Sequence, residues 1–509
     1  MNLLRIGREL SERGHTFTVL VSRVDTILQD LLRSRSFSNL KIIEYRGPRG
    51  VGTEAWGLNL SRSPIASLEE LLQNHKDAAL HIAADQSTLS RTKAEGYDLL
   101  MWDSGFWPGA VLQDLLNITS VEVQPLPVLL PWNWEYEQSI PNPIAYLPQY
   151  GTVFTTRMSY LQRVQNFVTN IFVKHFLLAK MLKEKQREFV MESGYSYKTY
   201  ETGRSTAAAV IVVTDWALQF PQPMPPRVHL VGSVLAEDAR PLPAELSAFL
   251  DQGLPDHHGQ GAVFASPGTL ALLTEDEVCS IAQGLVALDK HVLWKQDPQK
   301  LPGNTTLDSL KLTPKVKLIK WAPQNDVLGH PAVKAFLTQA GINSIHEAAY
   351  HAVPVVSVPL IADQVNNAIL PEYHGFGVTV TPNRLSPVNG KAIQEAITQV
   401  MTDSAFQASA DKVSRRLRNK PRHPAELAAD VVERVLATDG DMYLETMQHA
   451  LSWWQLSLLD VKAFLLSAAL LVVGLLGGML YGVYVLLQRV VRLLWSKCSY
   501  RLYGKQKSF

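Results

Sequence analysis

The sequence predicts an α/β protein whose C-terminal half is a doubly wound parallel sheet and whose end carries one transmembrane helix. From Gly261 onward, short apolar runs alternate with helical patterns, as in doubly wound α/β domains. The run VPVVSVPL is continuously apolar, as expected of a parallel strand buried on both faces. Residues 463 to 488 contain no Asp, Glu, Lys or Arg, and such a helix outspans the roughly 30 Å hydrocarbon core of a bilayer.

Composition narrows the class of protein further. A chain of 509 residues predicts two to three domains, and 46% hydrophobic with 19% charged residues fits a large core plus a membrane segment. The formal net charge is +1, so no field favours nucleic acid. Only Cys279 and Cys498 occur, which excludes a disulfide framework and a multi-cysteine metal site. No carboxylate cluster suggests a catalytic metal.

The N-terminal lobe is predicted over residues 1 to 220. LLRIGRELSERG is an amphipathic helix that ends at Gly14, and FTVLVS and LKIIEY are strands after it. The pattern predicts a strand that ends at Asp103 and then a helix, in the segment GYDLLMWDSGFWPGAVLQDLL. Asp103 or Ser104 could equally be the N-cap of that helix. Residues 160 to 190 form an amphipathic stretch, which could rest on a membrane surface or pack against the protein's own core.

Residues 221 to 260 are predicted to link this lobe to a C-terminal lobe over residues 261 to 440. The proline cluster Pro221 to Pro226 suits a stiff connection. The strands are GAVFAS, HVLWK, VKLIKW, VKAFLT and VPVVSV, with a capping box from Thr274 to Glu277 opening the first helix, and helical patterns run through residues 388 to 436. No G-x-G-x-x-G follows the first strand, which argues against a dinucleotide-dependent oxidoreductase.

The segment from Trp321 to Gln364 concentrates candidate ligand-binding chemistry. Apolar spacing in INSIHEAAYHA predicts a helix, so Gly341 to Ser344 lies at a helix N-terminus, where free N–H groups and the helix dipole suit a phosphate. The strand VPVVSVPL delivers Asp363 and Gln364 to its C-terminal end, the edge at which open α/β sheets bind ligands.

This segment resembles the signature of the UDP-glycosyltransferase family, particularly its membrane-bound UDP-glucuronosyltransferase-like branch. The resemblance implies that Trp321 stacks on uracil, Gln324 hydrogen-bonds the nucleoside, Asn343 and Ser344 face the phosphates, Glu347 accepts from the ribose hydroxyls, and Asp363 with Gln364 holds the sugar hydroxyls. Each role suits its chemistry, since a carboxylate accepts two hydroxyls and an indole offers a stacking face. Taken singly, Trp321 could be core and Glu347 an ordinary helix carboxylate; the ordered set is far more specific.

Two further positions bear on the diphosphate. Ser266 begins a Ser-Pro-Gly-Thr loop where the family carries a small turn near the phosphates, although a plain strand-to-helix turn is the alternative. The chain has Gln339 and Ala340 where the family usually has a His and a Gly. An amide can donate to a phosphate oxygen but carries no positive charge. Gly341 allows the backbone to approach a pyrophosphate closely.

The resemblance implies two Rossmann-like lobes that face each other across a cleft (GT-B type), with the UDP-sugar in the C-terminal lobe and the acceptor in the N-terminal one. The expected reaction is inverting transfer of a sugar to an acceptor hydroxyl, with the UDP-sugar as co-substrate and no cofactor or metal. In the family an Asp, matched by Asp103, orients a His that acts as general base. That His has no match, and His15 is not a substitute. We expect it, the first strand and a secretory signal upstream of Met1.

Two functional classes therefore remain open. One is a membrane-bound UDP-sugar transferase acting on a small lipophilic or lipid hydroxyl. The other is a catalytically silent binding or regulatory partner that keeps the donor fold and dimerises through the membrane helix. The missing His, Gln339 and the glycine stripe of that helix motivate it.

The C-terminal region predicts how the chain meets a membrane. Residues 441 to 462 form a juxtamembrane segment with Trp453 and Trp454 near the interface, 463 to 488 the transmembrane helix, and 489 to 509 a basic tail without acidic residues. The positive-inside rule then predicts a cytosolic C-terminus and a luminal body.

Three smaller signals accompany this topology. The end KQKSF, with Lys505 and Lys507, resembles a dilysine retrieval signal, which implies residence in the endoplasmic reticulum. Sequons at Asn59, Asn117 and Asn304 are compatible with a luminal glycoprotein. A stripe of small residues in the membrane helix could form a homodimer, although glycine is common in such helices. The stripe consists of Gly474, Gly478 and Gly482.

Overall fold

The computed structural model describes most of the chain as two compact units, Met1–Glu445 and Thr446–Phe509. The described residues are 1–23, 40–45, 47, 58–59, 64–125, 137–138, 140–173, 179–257, 260–267, 271–299, 301–360, 363–381, 390–438, 440, 444, 446–447 and 451–504. The predicted loop 268–269 after Ser266 and the tail lysines Lys505 and Lys507 lie outside them.

The elements of the first half are α1 (Asn2–Glu12), β1 (Thr18–Ser22), β2 (Lys41–Tyr45), β3 (Leu58–Asn59), α2 (Pro64–Ala84), α3 (Gln86–Ala94), β4 (Leu100–Asp103), α4 (Pro108–Leu116), β5 (Ser120–Gln124), α5 (Tyr160–Ile171), α6 (Ala179–Ser193), α7 (Lys198–Thr202), β6 (Ala209–Val212), β7 (Val228–Leu230) and α8 (Ala244–Asp251). Those that follow are β8 (Ala262–Ser266), β9 (Ala271–Leu272), α9 (Glu275–Val286), β10 (His291–Lys295), β11 (Val316–Ile319), α10 (Gln324–Leu328), β12 (Val333–Thr338), α11 (Ile342–Tyr350), β13 (Val355–Ser357), α12 (Gln364–Asn367), α13 (Ile369–His374), β14 (Gly377–Thr379), α14 (Gly390–Thr402), α15 (Ser404–Arg418), α16 (Pro424–Thr438), α17 (Trp453–Leu456) and α18 (Leu459–Gly504).

The C-terminal lobe is built on a six-stranded parallel sheet in the order β11-β10-β8-β12-β13-β14. Successive side chains of a strand point to opposite faces, so the apolar runs fill two cores. Phe264 and Phe336 stack at 5.1 Å on the face covered by α11 and α15. Val263 and Trp294 lie on the other face, under α9 and α14. The predicted capping box opens α9, with Thr274 and Glu277 each bonding the other's backbone N–H.

The N-terminal lobe holds a four-stranded parallel sheet, β4-β5-β6-β7, and a separate parallel pair, β1-β2. Buried apolar residues of β5 and β6 pack against α1 on one face. Trp102, Trp107 and Phe189 form a second cluster with α2, α4 and α6 nearby. The predicted α/β class with parallel sheets is thus confirmed.

One helix lies in a different lobe from the one predicted. The sequence pattern assigned the segment before residue 440 to the C-terminal lobe, but α16 packs on α1 and β6 of the N-terminal lobe. Arg13, the C-cap residue of α1, binds this helix, since its Nη1 donates to Asp430 and to Glu433 at 2.8 Å each. The chain therefore returns to its first lobe before it reaches the apolar C-terminal helix α18.

The two lobes of the first unit meet through polar contacts. Asn366 accepts a hydrogen bond from Gly151 N at 3.0 Å and donates to Thr152 O at 2.7 Å, which joins α12 to a loop of the N-terminal lobe. Asp215, just after β6, forms an ion pair with Lys420. These contacts position the N-terminal loop beside the start of α12.

Of the two alternatives for residues 160 to 190, packing against the core holds for α6, which buries Leu182 and Phe189, but not for α5, which exposes its apolar side chains to solvent. Its buried residues are instead Asn166 and Asn170. Amphipathic spacing identifies an apolar stripe but does not say which way the stripe faces.

In the second unit, α18 is an apolar helix of 46 residues, of which Leu459–Ser496 is long and apolar enough to cross a membrane. This confirms an apolar C-terminal helix of membrane-spanning length. The homodimer through its glycine stripe and the orientation of the helix stay predictions.

Candidate functional site

The predicted site residues gather at the carboxyl edge of the six-stranded sheet. Ser266, Thr338 and Ser357 are the last residues of β8, β12 and β13, and the strand register places them side by side. All three are buried. The hydroxyls of Ser266 and Ser357 have no hydrogen-bond partner among the described residues. A row of hydroxyl groups therefore lies beneath the edge.

Helix α11 begins directly above this row, with Gly341 as its N-cap. Within the described chain, no side chain caps the helix and its first turn holds no acidic residue. The first-turn N–H groups and the positive end of the helix dipole thus suit an anion. Ala340, at φ +67°, turns the backbone into the helix. A residue other than glycine in this left-handed region costs about 1–2 kcal/mol, so the turn is strained.

Gln339 offers an amide donor beside that helix start. Thr338 Oγ1 donates to Gln339 Oε1 at 3.2 Å, and both residues line a small pocket with Ser266. Gln339 Nε2 lies 3.3 Å from the point where a β-carbon on Gly341 would stand. A side chain at residue 341 would crowd this amide, which explains why a glycine suits this position.

Gln324 joins the start of α10 to helix α11. It is the first residue of α10, and its Nε2 donates to Ser344 Oγ at 3.0 Å and to Glu347 Oε2 at 2.5 Å. Ser344 and Glu347 lie on successive turns of α11. Three of the predicted residues therefore form one hydrogen-bonded group.

Glu347 is no ordinary surface carboxylate, because its side chain is buried in the site. Burial raises its pKa to about 7, while the hydrogen bond from Gln324 and the charge of Lys295 act in the opposite direction. Lys295, the last residue of β10, is a site residue that sequence reasoning missed. The sequence HVLWK predicts the strand but not its neighbours in the sheet. The parallel pairing of β10 with β8 is what brings the ammonium group of Lys295 near Glu347. Burial in turn lowers the pKa of Lys295.

Trp321 lies in the turn between β11 and α10 and is 66% exposed. The alternative that it is a core residue is therefore wrong. An exposed indole provides a flat apolar surface on which a base can stack.

Asp363 and Gln364 start α12. Asp363 Oδ2 accepts from Asn367 Nδ2 at 2.6 Å, and Gln364 Oε1 accepts from Leu360 N at 2.9 Å. Burial raises the pKa of Asp363, an effect that the Asn367 hydrogen bond reduces. Burial raises the pKa of the Tyr150 phenol, and the negative charge of Asp363 raises it further. Tyr150 therefore lies near this carboxylate, on the loop that Asn366 hydrogen-bonds.

Asp103 lies apart from this group, at the carboxyl end of β4 in the N-terminal lobe. Its Oδ1 accepts from Gly105 N at 2.8 Å in a tight turn, and the N-cap of α4 is Trp107, so Asp103 does not cap that helix. Burial raises the pKa of Asp103 to about 6. No hydrogen bond or ion pair between described residues connects it to the Gln324 group.

Asn343, on the first turn of α11, is partly exposed beside Ser344. The structure thus collects the predicted C-terminal residues around one helix start and one sheet edge. It adds Lys295 and Tyr150, which lie on elements distant in sequence.

Comparison with known proteins identifies the family. The family model for UDP-glucoronosyl and UDP-glucosyl transferase matches residues 1–493. A 2-hydroxyacylsphingosine 1-beta-galactosyltransferase from Mus musculus is 29% identical over 508 residues, covering 97% of this chain and 87% of its own. UDP-glucuronosyltransferase 2A3 from Cavia porcellus is 30% identical over 486 residues, covering 92% and 88%.

Solved structures share the fold. Os79 from O. sativa, crystallised with U2F and trichothecene, aligns with a TM-score of 0.60 at 16% identity, covering 85% of this chain and 96% of that one. The calicheamicin glycosyltransferase CalG4 aligns with a TM-score of 0.56 at 18% identity, covering 86% and 94%. These neighbours confirm the GT-B architecture predicted for the two lobes.

Proposed function

The chain belongs to the UDP-glucoronosyl and UDP-glucosyl transferase family, and from this we propose that it transfers a sugar, with inversion, from a UDP-sugar to a hydroxyl of a small lipophilic or lipid acceptor. The donor occupies the carboxyl edge of the six-stranded sheet. The acceptor enters from the N-terminal lobe.

The hydrogen-bonded group Gln324, Ser344 and Glu347 carries this proposal. It joins the turn holding the exposed Trp321 to the uncapped start of α11. A uracil on Trp321 would direct its ribose to Glu347 and its diphosphate to the first-turn N–H groups of α11, with the amide of Gln339 alongside. Asn343, Ser344 and Ser266 supply further donors there. Asp363 and Gln364 then receive the sugar hydroxyls.

The chemistry needs charge stabilisation on one side and proton removal on the other. As the acceptor oxygen attacks the anomeric carbon, the bond to UDP breaks, and the α11 N–H groups stabilise the leaving diphosphate. A general base takes the acceptor proton. We assign Asp103, at the carboxyl edge of the N-terminal sheet, to orienting that base, as the family pattern implies. The reaction requires no metal and no cofactor beyond the UDP-sugar.

Relatives support a lipid acceptor. One relative is named for galactosyl transfer to 2-hydroxyacylsphingosine. The apolar helix α18 keeps the chain at a membrane, where such acceptors reside. We place the protein in the endoplasmic reticulum membrane as a single-pass glycoprotein with a luminal body. Asn117 and Asn304 are exposed and accessible to glycosylation.

The decisive experiment is a transfer assay on the full-length protein in lipid nanodiscs. UDP-glucose, UDP-galactose and UDP-glucuronic acid are each offered with phenols, sterols and sphingoid bases, and released UDP and glycosylated product are measured together. We expect product with one donor and loss of product in Asp363→Asn. Absence of UDP release with every pair would refute transfer.

Gln339, an uncharged amide where the family usually has a histidine, favours one alternative, a catalytically silent donor-fold protein that acts as a binding or regulatory partner. Calorimetric titration with a UDP-sugar, together with the transfer assay, distinguishes the silent protein from the transferase. Normal UDP-sugar binding without turnover supports the silent protein, whereas robust turnover excludes it.

A further inference from the structure

Helix α5 turns its polar side toward the protein. Asn166 is fully buried, donates to the carbonyls of Ile144 and Leu147 at 2.9 Å each, and accepts from Gln149 N at 2.8 Å. Asn170 donates to Gln149 Oε1 at 2.6 Å. These four bonds pin the helix in one orientation, because turning it would leave buried amides unpaired.

The opposite side of α5 and the residue after it is apolar and open to solvent. At about 100° per residue, its side chains occupy one unbroken arc of about 140°. Leu161, the most exposed of them, is 76% accessible. The arc consists of Tyr160, Leu161, Val164, Phe167, Val168, Ile171 and Phe172, all exposed. Arg163 and Gln165 flank it and are exposed.

This arrangement is the reverse of a helix in a soluble protein, which buries its apolar stripe. A contiguous apolar face in water is costly and marks a surface that is covered in the working protein. The same chain carries α18, whose segment Leu459–Ser496 is long and apolar enough to cross a bilayer. Arg163 at the border of the face suits a lipid phosphate, since arginine extends its charged end from an apolar surface to the headgroups.

We propose that the apolar face of α5 rests in the headgroup boundary of the membrane, as a second lipid contact of this chain besides α18. The partner is the bilayer surface itself. This contact does not depend on the transfer reaction proposed above. Its position has a consequence for the site: the loop that Asn166 and Asn170 hold is the one that Asn366 bonds beside Asp363.

The test uses the full-length protein in phosphatidylcholine–phosphatidylserine nanodiscs with one copy per disc. A phosphatidylcholine with a photoactivatable diazirine in its acyl chain labels residues in contact with lipid, and peptide mass spectrometry locates the label. We expect labelling of the peptide spanning 160–172 several-fold above that of α14, an internal control with exposed polar residues. Labelling confined to α18 would overturn the proposal.

A paired variant separates lipid contact from chance proximity. Leu161→Glu with Val168→Glu changes two exposed side chains, so folding is preserved, and labelling of 160–172 should fall to the α14 level while α18 stays labelled. Gln165→Glu, outside the arc, should leave the labelling unchanged. If single-copy discs show no labelling while the detergent-solubilised protein forms a dimer that the paired variant abolishes, the face binds a second copy and the proposal is wrong.

Discussion

Gln324 Nε2 donates a hydrogen bond to Glu347 Oε2 at 2.5 Å, across the junction between the β11–α10 turn and helix α11. The same nitrogen donates to Ser344 Oγ. This bond supports the ionised form of a buried carboxylate whose pKa burial has raised. It also fixes the distance between the turn that carries Trp321 and the helix start.

Replacing Gln324 by Ala should weaken UDP binding. Glu347 loses its donor, and a hydrogen bond to a charged group contributes about 1.5–3 kcal/mol. Calorimetric titration with UDP measures the change. Gln407→Ala is the matched control, because Gln407 bonds Ala352 O and Asp411 away from the edge. Equal affinities in the wild type and Gln324→Ala would show that the bond does not support a nucleotide site.

UDP affinity should depend on pH through Glu347. The carboxylate must be ionised to accept two ribose hydroxyls, and its pKa is about 7. Binding should therefore strengthen as pH rises, by up to about tenfold per pH unit below that pKa, and level off above it. In Glu347→Gln this component of the titration should vanish. A pH profile identical in both proteins contradicts the role of Glu347.

The free energy of unfolding should fall as pH rises, whereas UDP affinity rises. The folded protein holds the Glu347 proton at pH values where the unfolded chain, with its pKa near the ordinary 4.5, has lost it. The free energy of unfolding of the unliganded protein should thus fall as pH rises from about 4.5 to about 7, and fall less in Glu347→Gln. Denaturant titrations of both proteins at several pH values measure this difference.

Trp321→Ala should cost UDP affinity without affecting folding. Base stacking on an aromatic side chain contributes about 1–3 kcal/mol. The indole is exposed, so the free energy of unfolding should stay within about 0.5 kcal/mol of the wild-type value. Trp321→Phe should retain part of the affinity, and Lys320→Ala, at the neighbouring exposed residue, should retain all of it. Loss of stability in Trp321→Ala would instead indicate a packing role.

Asp363→Asn should weaken the binding of a UDP-sugar but not the binding of UDP. UDP alone does not reach Asp363 in the proposed pose, so its affinity should be unchanged, while a UDP-sugar should bind more weakly by about 1.5–3 kcal/mol. Asp411→Asn serves as the remote control. Equal losses for UDP and UDP-sugar would place Asp363 at the nucleotide.

Gln339→His should tighten UDP binding, because a protonated imidazole adds a positive charge where the amide has none. The gain should be larger at about pH 6 than at about pH 8, since the ordinary pKa of histidine is about 6.5. Gln339→Leu should weaken binding. An unchanged affinity in Gln339→His would show that residue 339 is not at the diphosphate.

Much of the C-terminal lobe could be predicted from sequence because its signals are local. Apolar runs such as VKAFLT are strands buried on both faces, and the capping box at Thr274 begins a helix. The start of α11 at Ile342 follows from apolar spacing. These features need no knowledge of distant residues.

Long-range contacts could not be predicted in the same way. Lys295 reaches Glu347 only because β10 lies near β12 in the sheet order. The return of α16 to α1 depends on Arg13, more than 400 residues away from Asp430. Periodicity identifies the apolar face of a helix, but its partner is decided by tertiary packing, as α5 and its buried Asn166 illustrate.

The central claim is that the carboxyl edge of the six-stranded sheet holds a UDP-sugar. The structure of the full-length protein with bound UDP tests it most directly. We predict the uracil ring stacked on Trp321, the ribose hydroxyls within hydrogen-bond distance of Glu347, and the diphosphate at the N–H groups that begin α11. UDP bound elsewhere, or Glu347 still bonded only to Gln324 with no nucleotide at the edge, would contradict the account.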